Sequence, residues 1–102
     1  MKKFSVNVSK RKIVEFCKRK HIRCLSLFGS ILHNDFSQSS DIDMLVEFEP
    51  DYVPGFFDLI EMEEELSSMF GGRKVDLRTP NDLSMYFRDD VLAEAEAVYV
   101  ES

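Results

Sequence analysis

The sequence predicts an α/β fold of the α+β kind: a small mixed β-sheet packed with helices, in one domain spanning residues 1–102. Three observations lead there. Stretches with apolar residues at helical spacing are interspersed with short runs in which apolar and polar residues alternate. Their order is helix, strand, loop, strand, helix, strand, helix, which suits helices laid against a small sheet. The length of 102 residues allows one core and leaves no room for a second.

Taken in order, Ser9 is placed to cap a helix from Lys10 to Lys20, with Ile13, Val14, Phe16 and Cys17 on its apolar side. Lys18, Arg19, Lys20 and His21 crowd its end, where positive charge complements the helix dipole. "IRCLSLF" (22–28) reads as a strand with Ile22, Cys24 and Ser26 on one face and Arg23, Leu25 and Leu27 on the other. Gly29 to Ser40 is a loop with room for one helical turn. "DIDMLVEF" (41–48) is the clearest strand: Asp41, Asp43, Leu45 and Glu47 face one way, Ile42, Met44, Val46 and Phe48 the other. "EPDYVPG" (49–55) carries two prolines and a glycine and marks a loop.

From Phe56 to Phe70, the residues Phe56, Leu59, Ile60, Met62, Leu66, Met69 and Phe70 recur at helical spacing, and Gly71-Gly72 ends the helix. Of "EMEEE" (61–65), Glu63 lies nearest the apolar arc, as an edge or interface residue would. "RKVDLRT" (73–79) is a third strand, with Val75 and Leu77 on one face and Asp76 on the other. Pro80 or Asn81 opens a short helical piece, and "RDDVLAEAEAVYV" reads as a last helix with an extended end.

Composition narrows the function classes. Hydrophobic residues make up 44% of the chain and nine are Phe, which excludes a disordered tail. No apolar run approaches the roughly 20 residues that span a bilayer, so no membrane association is expected. The basic N-terminus "MKKFSVNVSKRK" lacks the apolar stretch of a secretory signal, and two cysteines then point to free thiols in the cytoplasm. The net charge of -6 hides a polarity: residues 1–23 hold nine of the thirteen Lys/Arg and one acid. A basic surface for a phosphate-bearing or acidic partner and a plain solvated helix both fit that pattern. The acidic remainder argues against stable nucleic-acid binding.

The chemistry lies in "LFGSILHNDFSQSSDIDMLVEF". Residues i and i+2 of a strand point the same way, so Asp41 and Asp43 share a face, roughly 7 Å apart along the backbone. With the 73–79 strand alongside, Asp76 joins them. Three carboxylates with no base among them repel, and divalent cations remove that conflict. Oxygen donors of this kind suit Mg²⁺, which keeps water and substrate phosphates in its shell, and two such ions would orient an in-line displacement at phosphorus. Gly29 directly follows a strand and lets backbone approach a phosphate closely. Ser30 adds a hydroxyl and an amide N–H.

The pattern Gly29-Ser30, ten residues, Asp41-x-Asp43 and a later strand Asp76 resembles the signature of the DNA polymerase beta-like nucleotidyltransferase superfamily. At this length the chain is most similar to the minimal nucleotidyltransferases, the MntA-like antitoxins paired with HEPN-domain RNase toxins. That resemblance implies the nucleotidyltransferase fold and an Mg²⁺-dependent protein adenylyltransferase. It would move AMP from ATP to a tyrosine hydroxyl of the HEPN toxin and so neutralise it. It further implies that Asp41 and Asp43 hold two Mg²⁺ ions bridged by the ATP triphosphate. Asp76 would complete the inner site and help deprotonate the attacking hydroxyl, and Gly29 and Ser30 would bind the β- and γ-phosphates. Arg78 shares the Asp76 face and either reaches the nucleotide or forms a surface ion pair.

One segment departs from the family, which commonly reads Gly-Ser-Arg-Ala-Arg-Gly where this chain has Gly29-Ser30-Ile31-Leu32-His33-Asn34. Both arginines are missing, which raises a second reading: neutralisation of the toxin by binding alone. A third keeps catalysis but takes a small molecule or RNA end as acceptor. Cys17, His21 and Cys24, with His33, invite a zinc site or a Cys-His nucleophile, but their spacing is not a usual zinc pattern and Cys17 falls on an apolar face. Tyr52, Phe56 and Phe57 form a candidate base-stacking lip or partner patch, with at least one Phe expected in the core.

Overall fold

The computed structural model describes residues 9–29 and 41–101. Helix α1 (Lys10–Arg19) begins at Ser9, whose hydroxyl accepts from the Lys12 amide at 3.4 Å. Ile13, Phe16 and Cys17, three and four residues apart, form its buried stripe. The Lys20 amide closes the last turn on the Phe16 carbonyl, and His21, at φ 58°, turns the chain into strand β1 (Ile22–Phe28).

Strand β1 pairs antiparallel with β2 (Ile42–Phe48), Leu25 opposite Val46 and Phe28 opposite Asp43. Helix α2 (Phe56–Met69) runs back over the sheet. It ends at Gly71 and Gly72, whose φ values of 74° and 87° suit glycine, the Gly72 amide donating to the Ser67 carbonyl at 2.8 Å. This crossover places β3 (Val75–Arg78) parallel to β2. A 3-10 turn at Pro80–Asp82, helix α3 (Arg88–Glu94) and strand β4 (Glu96–Val100) complete the chain. The sheet order is β3-β2-β1-β4, with β4 antiparallel to β1, so the sheet is mixed.

Helices α1 and α2 contribute to one core on one face of the sheet. Phe16 and Cys17 of α1 and Met62 and Leu66 of α2 share that core with Leu25, Leu27, Met44, Val46, Val75 and Leu77 of the sheet. Phe16 is fully buried, and truncating such a residue to Ala typically costs about 3–5 kcal/mol. The 3-10 turn lies against β2 on the chain's return path, and Leu83 behind it is buried. Among the described residues no helix is long and apolar enough to cross a membrane.

Two expectations are corrected and one is sharpened. The C-terminal run is, as expected, a helix with an extended end: α3 stops at Glu94, and residues 96–100 form an edge strand. Pairing with β1 overrides the helix preference of the Ala/Glu run. The Glu101 amide extends that ladder by donating to the Arg23 carbonyl at 2.8 Å. Ile22 does not lie opposite Leu25 and Leu27, because an irregularity between Ile22 and Cys24 shifts the register and turns all three into the core. Neither Phe56 nor Phe57 is a core residue; they are 72% and 76% exposed. They occupy the first turn of α2, ahead of the buried Met62 and Leu66, and pack edge-to-face on each other at 5.7 Å.

Candidate active site

The register brings the predicted residues to one end of the sheet. Strand β1 runs towards that end and finishes at Phe28; β2 and β3 start there, with Asp43 directly opposite Phe28 on one side and Asp76 on the other. Asp41 is the exposed residue just ahead of β2, and the next amide, Ile42 N–H, donates to the Lys74 carbonyl at 2.8 Å. The entry to β2 is therefore pinned to the entry to β3. Ile42, Met44, Val75 and Leu77 are buried in the core, so alternation sends Asp43 and Asp76 to the opposite face.

Gly29 follows β1 at φ 80°. A Cβ there would collide with a carboxylate oxygen of Asp43 and come within 3.2 Å of its Cγ. Glycine is thus required twice over, by backbone conformation and by the carboxylate lying against it. Ser30, the partner of Gly29 in the motif, lies outside the described residues, as does the Ile31-Leu32-His33-Asn34 segment.

Asp43 shows the electrostatic tension of the cluster. Burial pushes its carboxyl above the ordinary carboxylate range; the negative charges of Asp76 and Asp41 add to the rise, and Arg78 opposes it. Arg78 Nη2 donates to Asp76 Oδ2 at 3.1 Å across the i, i+2 spacing of β3. Of the two alternatives for Arg78, the ion pair is present, and it lies within the acid cluster. Downstream, Asp82 Oδ2 accepts from the Thr79 amide at 3.0 Å and its hydroxyl at 3.1 Å, fixing the chain as it leaves Arg78.

No group of three or more His, Cys, Asp or Glu side chains among the described residues stands ready to hold a metal ion. The donor chemistry still fits a hard cation. Asp41, Asp43 and Asp76 offer only oxygen, and the negative charges of Asp76 and Asp41 add to the rise that burial causes at Asp43. Mg²⁺ characteristically takes one or two carboxylates and completes its shell with water and phosphate oxygens.

The Cys and His residues do something else. Cys17 is fully buried, and burial, with a smaller contribution from Cys24, pushes its thiol up to about 12. A thiol held protonated in this way is a poor nucleophile at neutral pH. His21 stacks on Tyr52 at 4.6 Å and sets Nδ1 3.5 Å from Glu49 Oε1. Tyr52 also meets Phe48, so it belongs to this cluster rather than to a lip with the two exposed phenylalanines. His33 lies outside the described residues.

One contact had only an indirect signal in the sequence. Glu63 Oε2 accepts from the Leu77 amide at 2.8 Å, one residue beyond Asp76. A lone Glu near the apolar arc of α2 was the mark of it.

The fold is that of a nucleotidyltransferase, and residues 11–102 match the family model described as "Polymerase beta, Nucleotidyltransferase". The chain belongs to that family. Within it, the protein adenylyltransferase MntA of Thermococcus cleftensis is 36% identical over 86 residues, which cover 84% of this chain and 82% of that one. A crystal structure of a toxin-antitoxin with AMP-PNP has the same fold, with a TM-score of 0.72 at 20% identity over 93% of this chain and 76% of its own. The MNT antitoxin fold recurs in a complex with a tri-AMPylated Shewanella oneidensis HEPN toxin, with a TM-score of 0.62 at 20% identity, covering 89% of this chain and 69% of that one.

Proposed function

We propose that this chain is an antitoxin-type protein adenylyltransferase, acting in the cytoplasm as a single domain. It transfers AMP from ATP to a tyrosine hydroxyl of a partner HEPN RNase toxin and thereby neutralises it. The observation that carries this reading is the facing pair Asp43 and Asp76, with Gly29 against the Asp43 carboxylate. Adenylyltransferase and toxin-antitoxin relatives support the substrate and the partner.

In this reading Asp41, Asp43 and Asp76 are the residues that would hold Mg²⁺, whose positive charge at the phosphates would stabilise the displacement at phosphorus. Gly29 makes room for the Asp43 carboxylate itself, and Gly29 and Ser30 would bind the β- and γ-phosphates. Asp76 is the acid nearest the outer edge of the sheet, where an acceptor held by another chain can approach, and it receives the acceptor proton. Arg78, exchanging Asp76 for the triphosphate, binds the nucleotide.

The test is incubation of the protein with α-labelled ATP, Mg²⁺ and the HEPN protein encoded beside it. Label should appear on a tyrosine of that partner and vanish with Asp41→Asn or Asp43→Asn. No label on the partner with the wild-type protein would defeat the proposal. The missing arginines of Ile31-Leu32-His33-Asn34 favour a second reading, in which the fold masks the toxin without chemistry. Protection of cells by an Asp41→Asn/Asp43→Asn double variant would select it.

A further inference from the structure

We propose that Glu63 is a positioning residue for Asp76, acting through the Leu77 amide; this rests on the adenylyltransferase reading of the site. Strand β3 is short, four residues, and lies at the edge of the sheet, with β2 as its one strand neighbour among the described residues. The connection from α2 passes through two glycines at positive φ, which by themselves restrain β3 weakly. An open groove of about 400 Å³, lined in part by Ile60, Glu63, Ser67, Lys74 and Val75, runs along the outer seam between α2 and that edge. The apolar packing of α2 on β3 lies on the core side and leaves this outer seam open.

Glu63 crosses it. Its carboxylate accepts from the Leu77 N–H at 2.8 Å, a charge-assisted bond to an edge amide that has no strand beyond it. Leu77 stands between Asp76 and Arg78, and its side chain is buried in the core. Holding this amide fixes how far β3 can slide or tilt against β2, and with it the Asp43–Asp76 pairing. Met62 and Leu66 anchor the helix on either side of Glu63, so the brace is tied to the core. Its second effect is to blunt an edge that would otherwise accept a foreign strand.

The experiment is a double-mutant cycle between Glu63 and Asp76 in AMP transfer to the HEPN partner, with amide exchange at Leu77 followed by NMR on the same proteins. Glu63→Ala should lower turnover at saturating ATP about tenfold while KM for ATP stays within about twofold. Glu63→Gln, which keeps an oxygen for the Leu77 N–H, should recover most of the loss. Glu63→Asp, which retains charge but withdraws the oxygen and perturbs folding least, should not. Leu77 amide exchange should accelerate in the Ala and Asp variants only. In an Asp76→Asn background, Glu63→Ala should remove nothing further. Equal losses in both backgrounds, or unchanged turnover in Glu63→Ala and Glu63→Asp, would overturn the assignment. A wild-type protein that transfers no AMP overturns the adenylyltransferase reading itself, a result recognisably different from either.

Discussion

Gly29 and Asp43 occupy each other's space: the carboxylate of Asp43 lies where any side chain at position 29 would begin. The two residues come from adjacent antiparallel strands, Phe28 pairing with Asp43, so the contact is fixed by sheet register. It joins the Gly29 half of the motif to the acid half before any ligand arrives.

Gly29→Ala should therefore fail on two counts. The φ of 80° imposes about 1–2 kcal/mol of strain on an L-residue, and the new methyl displaces the Asp43 carboxylate. Thermal melts should register the strain, and AMP transfer should fall about 100-fold, as for a misplaced catalytic group. Wild-type turnover in this variant would show that Asp43 moves without consequence.

The raised Asp43 carboxyl predicts a pH-dependent stability of definite sign. A folded-state value above the unfolded one means the native state holds the proton more tightly. Stability contributed by that proton is lost as pH rises from the ordinary value of 3.8 through the raised one. At neutral pH the ionised Asp43 thus destabilises the fold, and Asp43→Asn should melt at a higher temperature than the wild type. The difference should vanish in acid below the ordinary carboxylate value. Adding Mg²⁺ should raise the wild-type midpoint and leave the Asn variant unmoved.

Arg78→Met removes the one positive charge that counters the rise at Asp43, so the acid limb of the pH–rate profile should move to higher pH. The KM for ATP should increase about tenfold with loss of a charge-assisted contact. Folding stability should change by less than about 1 kcal/mol, since the Arg78–Asp76 pair is solvent-exposed. Arg78→Lys should retain part of both kinetic effects.

Deleting residues 96–102 should expose the outer edge of β1 and uncover the core beside Leu25. Val98 and Tyr99 pack against that core, and β4 pairs with β1 from Cys24 to Leu27. Light scattering and a loss of cooperative melting would register the aggregation expected of an open, apolar edge. A monomeric truncated chain with an unchanged midpoint would mean that β4 contributes nothing to the fold.

The parts of this site that were legible in the sequence are those governed by strict alternation. Asp43 and Asp76 stand where a period of two puts them, opposite a face of Ile, Met, Val and Leu, and Arg78 follows Asp76 by the same rule. Gly29 was legible because glycine after a strand has few other uses. The illegible parts depend on distant partners. "EAVYV" became a strand because β1 needed an edge neighbour, and Ile22 turned inward because of an irregularity that no local pattern encodes. Phe56 and Phe57 fit the helical period of α2 yet lie exposed in its first turn. Glu63 gave only the hint of its position, since its partner is a backbone amide.

The single parallel pairing, β2 with β3, has a consequence for how the molecule comes into being. As the chain emerges from the ribosome, β1 and β2 can meet as an antiparallel pair with Gly29 already against Asp43. Asp76 reaches Asp43 only after α2 has been made and crossed the sheet. Such a pairing closes a long stretch of chain and forms slowly relative to local structure. The mutually repelling carboxylates are thus brought together only once the helix that covers the opposite face of the sheet, with Met62 and Leu66 in the core, has been made. A nascent chain carries the complete acid cluster only after α2 has crossed the sheet.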